Sequence, residues 1–182
     1  MRAGIVVAGG AGRRLGGVDK PALVVGGRTL LDRALDALGE VRTVVVGPER
    51  ATSRPVEWTR EDPAGTGPVA AVRAGVERLS DLSDEAVVVL LAADLPAVTP
   101  TVVRRVADAV GESGAVLVDA AGREQWLLSA WRLGALRRAV PVEAAGLALR
   151  RVLAGLAPVA VDDVDGAAGD IDTPDDLTRL DG

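Results

Sequence analysis

The residues best equipped for chemistry stand near the amino terminus, in Gly4-Ile5-Val6-Val7-Ala8-Gly9-Gly10-Ala11-Gly12-Arg13-Arg14-Leu15-Gly16-Gly17-Val18-Asp19-Lys20. An apolar run ends in a glycine-rich loop that carries two arginines and closes on a lysine. Glycine lets backbone N–H groups come close to a ligand, because no Cβ intervenes. Successive N–H groups in such a loop form a concave anion site, and Arg13, Arg14 and Lys20 add full positive charge. The chemistry this stretch offers is phosphate binding; the plainer alternative is a mobile surface loop after an edge strand. Two familiar phosphate loops do not match. The dinucleotide fingerprint needs a third glycine where Leu15 stands. The Walker loop needs a lysine where Val18 follows Gly17. The lysine comes late, at Lys20, just before Pro21.

Carboxylates supply the second half of a candidate site. Asp94 closes the continuous apolar run Ala86 to Ala93 and is followed by Leu95-Pro96. A carboxylate at the end of a buried strand is costly unless something pairs with it. It is a candidate Mg²⁺ ligand facing the phosphates, or else a turn aspartate before Pro96. Asp62-Pro63 is either a ligand contact or an ordinary turn opening. Asp170 and Asp172 lie in Asp170-Ile171-Asp172-Thr173-Pro174-Asp175-Asp176-Leu177, which also explains itself as acids at the positive end of a capped helix. Gln125 and Trp126 are placed to touch a substrate or to join the core.

Composition removes most other chemistries. The chain has 182 residues, with no Cys, His, Tyr or Phe. Thiol nucleophiles, disulfides, imidazole bases and Cys/His metal sites are therefore absent. A metal would have to be held by oxygen, as a hard ion such as Mg²⁺ is. Acid–base work would fall to Asp, Glu or Lys. The net charge is −5, with no long basic face, so nucleic acid is not an expected partner. No apolar run is long enough to span a membrane and no signal peptide precedes Gly4, so the expectation is a soluble cytoplasmic protein. The length suits one domain over 1–182. The oligomeric state is left open, and a monomer is compatible with the sequence.

The elements that must position these residues alternate. Gly4 to Ala8 is an expected strand, and Ala22 to Val25 a short extended piece before a Gly26-Gly27 turn. Thr29 caps a helix with Asp32 three residues on; its face is Leu30, Leu31, Ala34, Leu35 and Leu38, and Gly39 ends it. Thr43 to Val46 is a strand ending in Gly47-Pro48. Arg50 to Thr66 is expected to be irregular. A helix opens at Gly67-Pro68, with Val69, Val72, Val76 and Leu79 on one face. Ala86 to Ala93 is the expected central strand. Thr99-Pro100 caps a helix with Val102, Val103, Val106 and Val110 on its face. Ala115 to Val118 is a strand, and Gly122 to Trp131 one that runs the other way. Short helices at Leu133 to Val140 and Leu147 to Leu153, a strand at Pro158 to Val161, and a terminal helix capped by Thr173 complete the chain. This alternation implies an α/β fold: a doubly wound three-layer α/β/α sandwich with a mostly parallel sheet. Ligands in such folds sit at the carboxyl ends of the strands, where strand order reverses. The loop from Gly9 to Lys20, Asp94 and Asp62 would gather there, and Asp170 and Asp172 could join them.

The motifs resemble a known family. Ala8-Gly9-Gly10-x-x-Arg13-Arg14-Leu15-Gly16-Gly17-Val18-Asp19-Lys20 is similar to the signature of molybdenum cofactor guanylyltransferases, nucleotidyltransferases of the glycosyltransferase-A-like (nucleotide-diphospho-sugar-transferase) fold. The likeness continues, in the family's order, at Gly67-Pro68-Val69-Ala70, Asp94-Leu95-Pro96 and Asp172-Thr173-Pro174-Asp175-Asp176-Leu177. It implies transfer of GMP from GTP to the terminal phosphate of molybdopterin-bound molybdenum cofactor, with release of pyrophosphate. It also implies roles. Backbone groups of Val7, Ala8 and Gly9 would meet the nucleotide. Gly10, Gly12, Arg13 and Arg14 would hold the β- and γ-phosphates. Lys20 would sit by the α-phosphate and Asp62 by the guanosine, while Asp94 would bind Mg²⁺ and Asp172 could add a metal ligand. Lys20, Arg14 and Asp94 are then the expected catalytic groups. Gly47 stands where related enzymes can carry a nucleotide-contacting Asn, and Asp170 and Asp172 replace common Asn residues. A cytidylyltransferase, another small-phosphate or sugar-phosphate nucleotidyltransferase, and a nucleotide-binding module without turnover are the alternatives.

Overall fold

The computed structural model describes residues 1–9 and 18–169. Gly10, Gly12, Arg13, Arg14, Asp170, Asp172 and the helix expected after Thr173 lie outside the described residues.

Four parallel strands form one half of a seven-stranded sheet. In chain order they are β1 (Ala3–Val7), β4 (Arg42–Val46), β5 (Glu57–Thr59) and β6 (Val87–Ala92). A two-stranded hairpin, β2 (Val24–Val25) with β3 (Arg28–Thr29), lies outside that sheet. The other half is β7 (Gly114–Val118), β8 (Glu124–Arg132) and β9 (Val159–Asp162), giving the order β5-β4-β1-β6-β8-β7-β9. β8 runs antiparallel to both β6 and β7, as its place in the sequence led us to expect. β6 is the middle strand, which accounts for its unbroken apolar run: side chains from both of its faces are buried.

The period of two along each strand sorts the core into two layers. Val6, Val45, Val89 and Leu91 face α1 (Leu30–Leu38) and α3 (Pro100–Asp108). Ile5, Val44, Val88 and Leu90 face α2 (Pro68–Arg78), α4 (Leu133–Ala139) and α5 (Leu149–Leu153). The result is the three-layer α/β/α sandwich. Local chemistry sets the helix ends as the sequence implies. The Thr29 hydroxyl accepts from the Asp32 N–H (3.0 Å), Thr99 caps α3 in the same way, and proline occupies the first turn of α2 and α3.

One segment differs from expectation. The stretch from Arg50 to Thr66, expected to be irregular, contains β5, an edge strand parallel to β4. Three residues bounded by prolines give no readable alternation, and tertiary pairing decides the matter. Among the described residues no helix is long and apolar enough to cross a membrane.

Candidate active site

The chain leaves β1 for one side of the sheet (α1, then β4) and later returns on the other side as β6. Strand order therefore reverses between β1 and β6, and the crevice at their carboxyl ends is the expected ligand position. The two strands are in register to the end, Val7 opposite Ala92. The Ala93 N–H donates to Val7 O at 3.1 Å, so Asp94 emerges beside Ala8-Gly9.

Lys20 reaches the same place from the other end of the glycine-rich loop. It begins a 3₁₀ turn, Lys20–Ala22, seated by the buried Pro21. Its Nζ lies 3.8 Å from Asp94 Oδ2, beyond hydrogen-bond length. Both side chains keep some exposure, 15% for Lys20 and 29% for Asp94. A cation and a carboxylate that meet at a strand-end crevice offer the charges that a phosphate oxygen and a hard metal ion respectively need.

The turn that carries Lys20 is clamped to the neighbouring strand end. Arg50 donates through Nε and Nη2 to the two carboxylate oxygens of Asp19, at 2.7 and 2.5 Å, and through Nη1 to Pro48 O at 2.7 Å. The Arg50 hydrogen bonds hold the Asp19 carboxyl below the usual range, against a partial opposing effect of burial.

The backbone at the end of β1 is partly committed to the sheet. Val7 O accepts from Ala93, and the Ala8 N–H donates to Val46 O at 2.8 Å. Among the described residues, Ala8 C=O and the Gly9 N–H have no backbone partner. Gly47 makes this arrangement possible. A Cβ there would lie 2.8 Å from Ala8 C and O and 3.0 Å from Gly9 N, and its φ is +152°. The sequence showed Gly47 as turn chemistry; the structure adds that the first strand end passes directly over it.

The expected site residues are thus brought together in part. Val7, Ala8, Gly9, Lys20 and Asp94 converge. Asp62 lies in the adjoining loop with its side chain exposed. Its neighbour Glu61 is the inward acid, which the sequence reading passed over. Glu61 Oε1 accepts the Gly65 N–H at 2.8 Å and lies 3.8 Å from where a Cβ on Gly9 would stand. Its Oε2 is buried and has no hydrogen-bond partner. A pair of acids before a proline was the available signal, but sequence cannot say which of the two turns in.

A cavity of ≈ 430 Å³ opens next to Asp94, walled by Pro68, Leu95, Trp126, Leu128 and Arg150 among others. Lys20 beside the end of β1, Asp94 just past the end of β6 and the adjoining cavity are an arrangement in which a phosphate ligand could be handled. A family model described as the MobA-like NTP transferase domain matches residues 4–163, and the chain belongs to that family of nucleotidyltransferases. Two curated relatives share most of its length. The molybdenum cofactor guanylyltransferase of Acidiphilium cryptum is 36% identical over 166 residues, covering 86% of this chain and 75% of the relative. That of Rhodobacter capsulatus is 30% identical over 183 residues, covering 97% and 93%. A solved nucleotidyl transferase from Methanothermobacter superposes with a TM-score of 0.75 at 22% identity, covering 100% of this chain and 96% of that one, and supports the fold.

Proposed function

We propose that this enzyme transfers GMP from GTP to the terminal phosphate of a molybdopterin-type acceptor. An acceptor phosphate oxygen attacks the α-phosphorus, the bond from that phosphorus to the bridging α–β oxygen breaks, and pyrophosphate leaves. The observation that carries the reading is the meeting of Lys20 and Asp94, 3.8 Å apart, at the crevice between β1 and β6. The choice of GTP and of a molybdopterin acceptor is supported by the names of the two curated relatives.

The missing side-chain types fit this chemistry. The acceptor oxygen is already anionic, so no protein nucleophile or strong base is needed. The protein has to align two phosphates and stabilise developing negative charge. Ala8 C=O and the Gly9 N–H would meet the nucleotide, with Val7 behind them in the sheet. Gly10, Gly12, Arg13 and Arg14 are proposed to hold the β- and γ-phosphates, with Asp62 near the guanosine. Lys20 would place its charge at the α-phosphate, where Arg14 would assist.

Mg²⁺ is tested by the donor set. The ion commonly takes one or two carboxylates, with phosphates and water filling its remaining positions. Among the described residues no group of three acids could cage a metal, while Asp94 offers one partly exposed carboxylate at the right edge. That fits an ion arriving with a nucleotide. Asp94 would hold it, with Asp172 a proposed second ligand, and when bound it supplies positive charge to the phosphates. We place the reaction in the cytoplasm, without nucleic-acid or membrane partners.

Calorimetry with GTP, CTP, ATP and UTP in Mg²⁺ tests the donor. Pyrophosphate release on adding molybdopterin tests the transfer. GTP is expected to bind at least tenfold tighter than CTP and to turn over with the acceptor. Preference for CTP would identify a cytidylyltransferase, and binding without pyrophosphate release would identify a module without turnover.

A further inference from the structure

We infer that Arg50 is a positioning residue for Lys20: by gripping Asp19 it fixes the turn from which the lysine reaches Asp94. This deepens the transfer reaction proposed above and rests on it for its kinetic consequences.

The first observation is that Lys20 is the only lysine of the chain, against twenty arginines. An ammonium on a four-carbon stem is a compact charge with high rotamer freedom, whereas the planar fork of arginine is pre-organised. The placement of such a charge has to be imposed by its surroundings, beginning with the backbone that carries it. Pro21 is buried and stiffens the 3₁₀ turn. The turn closes through Ala22 N–H to Asp19 O and Leu23 N–H to Lys20 O, both at 3.0 Å.

The second observation is where Asp19 directs its side chain. Asp19 stands at the N-cap of this turn, where an aspartate ordinarily accepts from the N–H groups of its own helix. Here the side chain makes no capping bond. Its two oxygens instead accept from Arg50, Nε at 2.7 Å and Nη2 at 2.5 Å. A bidentate pair of this kind fixes orientation as well as distance.

The third observation is that Arg50 is itself held. Its Nη1 donates to Pro48 O at 2.7 Å, and the Gly47 N–H donates to Thr59 O of β5 at 2.9 Å. The Arg50 side chain is only 14% exposed. The edge of the guanidinium that would fork onto a phosphate is spent on Asp19, so its action on a ligand passes through Lys20. One short loop after β4 therefore meets the glycine-rich stretch at both ends. Gly47 lies against Ala8 and Gly9 where that stretch begins, and Arg50 holds Asp19 where it closes.

The test uses the full chain. Because there is one lysine, ¹³C labelling of lysine at the ε-carbon gives an NMR signal that reports Lys20 alone. In the wild type its two ε-protons should be inequivalent, as in a held side chain. In Arg50→Ala and in Asp19→Ala they should merge, as in a rapidly rotating one. Arg42 bonds Glu57 and Asp81 at the opposite end of β4. Arg42→Ala is therefore the control, which should lower Tm and leave the Lys20 signal unchanged. Loss of the Arg50–Asp19 pair should lower Tm by no more than about 3 °C. In pyrophosphate-release kinetics, Arg50→Ala should reduce kcat about 10–10²-fold, with KM for GTP within about threefold of wild type. In a chain already carrying Lys20→Ala, the same change should cost less than about twofold, because the group it positions is gone. A Lys20 signal unchanged in Arg50→Ala, or a kcat loss as large with Lys20→Ala as without it, would overturn the assignment. Merged ε-protons in Arg50→Ala, together with an undiminished kcat in Lys20→Ala, would uphold the positioning and overturn the donor reading instead.

Discussion

Replacing Gly47 by alanine should damage both stability and nucleotide binding, because it loads the hinge point of the site. The added Cβ would sit 2.8 Å from Ala8 C and O and 3.0 Å from Gly9 N. Ordinary carbon contacts are about 3.5–4.0 Å, so the β1 end must retreat by roughly 0.7 Å. No rotamer change can relieve this, since every atom struck is backbone. That backbone is tied on both sides, through Ala8 N–H to Val46 O and through Val7 O to Ala93 N–H. Overpacking of this kind costs about 1–3 kcal/mol. The positive φ adds about 1 kcal/mol for a residue with a Cβ. A total of about 3 kcal/mol, at about 2–4 °C per kcal/mol for a chain of this size, lowers Tm by about 6–12 °C. The shift also moves Ala8 C=O and the Gly9 N–H away from a nucleotide, and KM for GTP should rise about tenfold or more. Thermal unfolding by circular dichroism reads the first effect, and initial rates of pyrophosphate release against GTP concentration read the second. Gly155→Ala, where a Cβ would meet nothing within 4 Å, is the control. A Gly47→Ala protein with Tm within about 1 °C of wild type and an unchanged KM would refute the reasoning.

Lys20→Ala should slow transfer by about 10²–10³, the scale of one lost electrostatic stabiliser, with little change in Tm; stopped-flow pyrophosphate release measures it. Asp94→Ala should abolish Mg²⁺-dependent turnover and leave the circular dichroism spectrum intact, and a Mg²⁺ titration of activity would detect any residual response. Glu61→Ala removes the acceptor of the Gly65 N–H and should raise KM for GTP about tenfold through the loop beside Gly9, read from initial rates. The Asp19 carboxyl is held low by Arg50, so its contribution to stability is complete above its unfolded pKa and is lost as pH falls through the lower folded value. The Tm gap between wild type and Asp19→Asn should therefore be constant near neutrality and close below about pH 4, as scanning calorimetry across pH will show.

Most of the scaffold was legible because burial leaves a period in the sequence. The β6 run from Val87 to Ala92 is apolar throughout since both faces are covered, and the face of α1 repeats at helical spacing. Caps such as Thr29 are local chemistry and read directly. Lys20 and Asp94 stood out as candidates because glycine-rich strand ends and a carboxylate after an apolar run are unusual and costly, and the structure brings the two side chains to 3.8 Å. What was hidden depends on pairing between distant segments. β5 has three residues and exists through β4. A bulge in β8 at Trp126 is visible only as a change of register against β7. Glu61 and Asp62 have equivalent sequence surroundings, and the turn of the loop alone sends one inward. Arg150 sits in a short helix with no motif around it, and its position beside Asp94 comes from the packing of the α2, α4 and α5 layer.

Lys20 and Asp94 are proposed to act on one triphosphate at the carboxyl ends of β1 and β6. A crystal structure with GTP and Mg²⁺ tests it most directly. It should place the α-phosphate within hydrogen-bond reach of Lys20 Nζ, about 3 Å, and Asp94 on the metal at about 2.1 Å. A nucleotide bound with its α-phosphate remote from Lys20, or a metal held without Asp94, would contradict it.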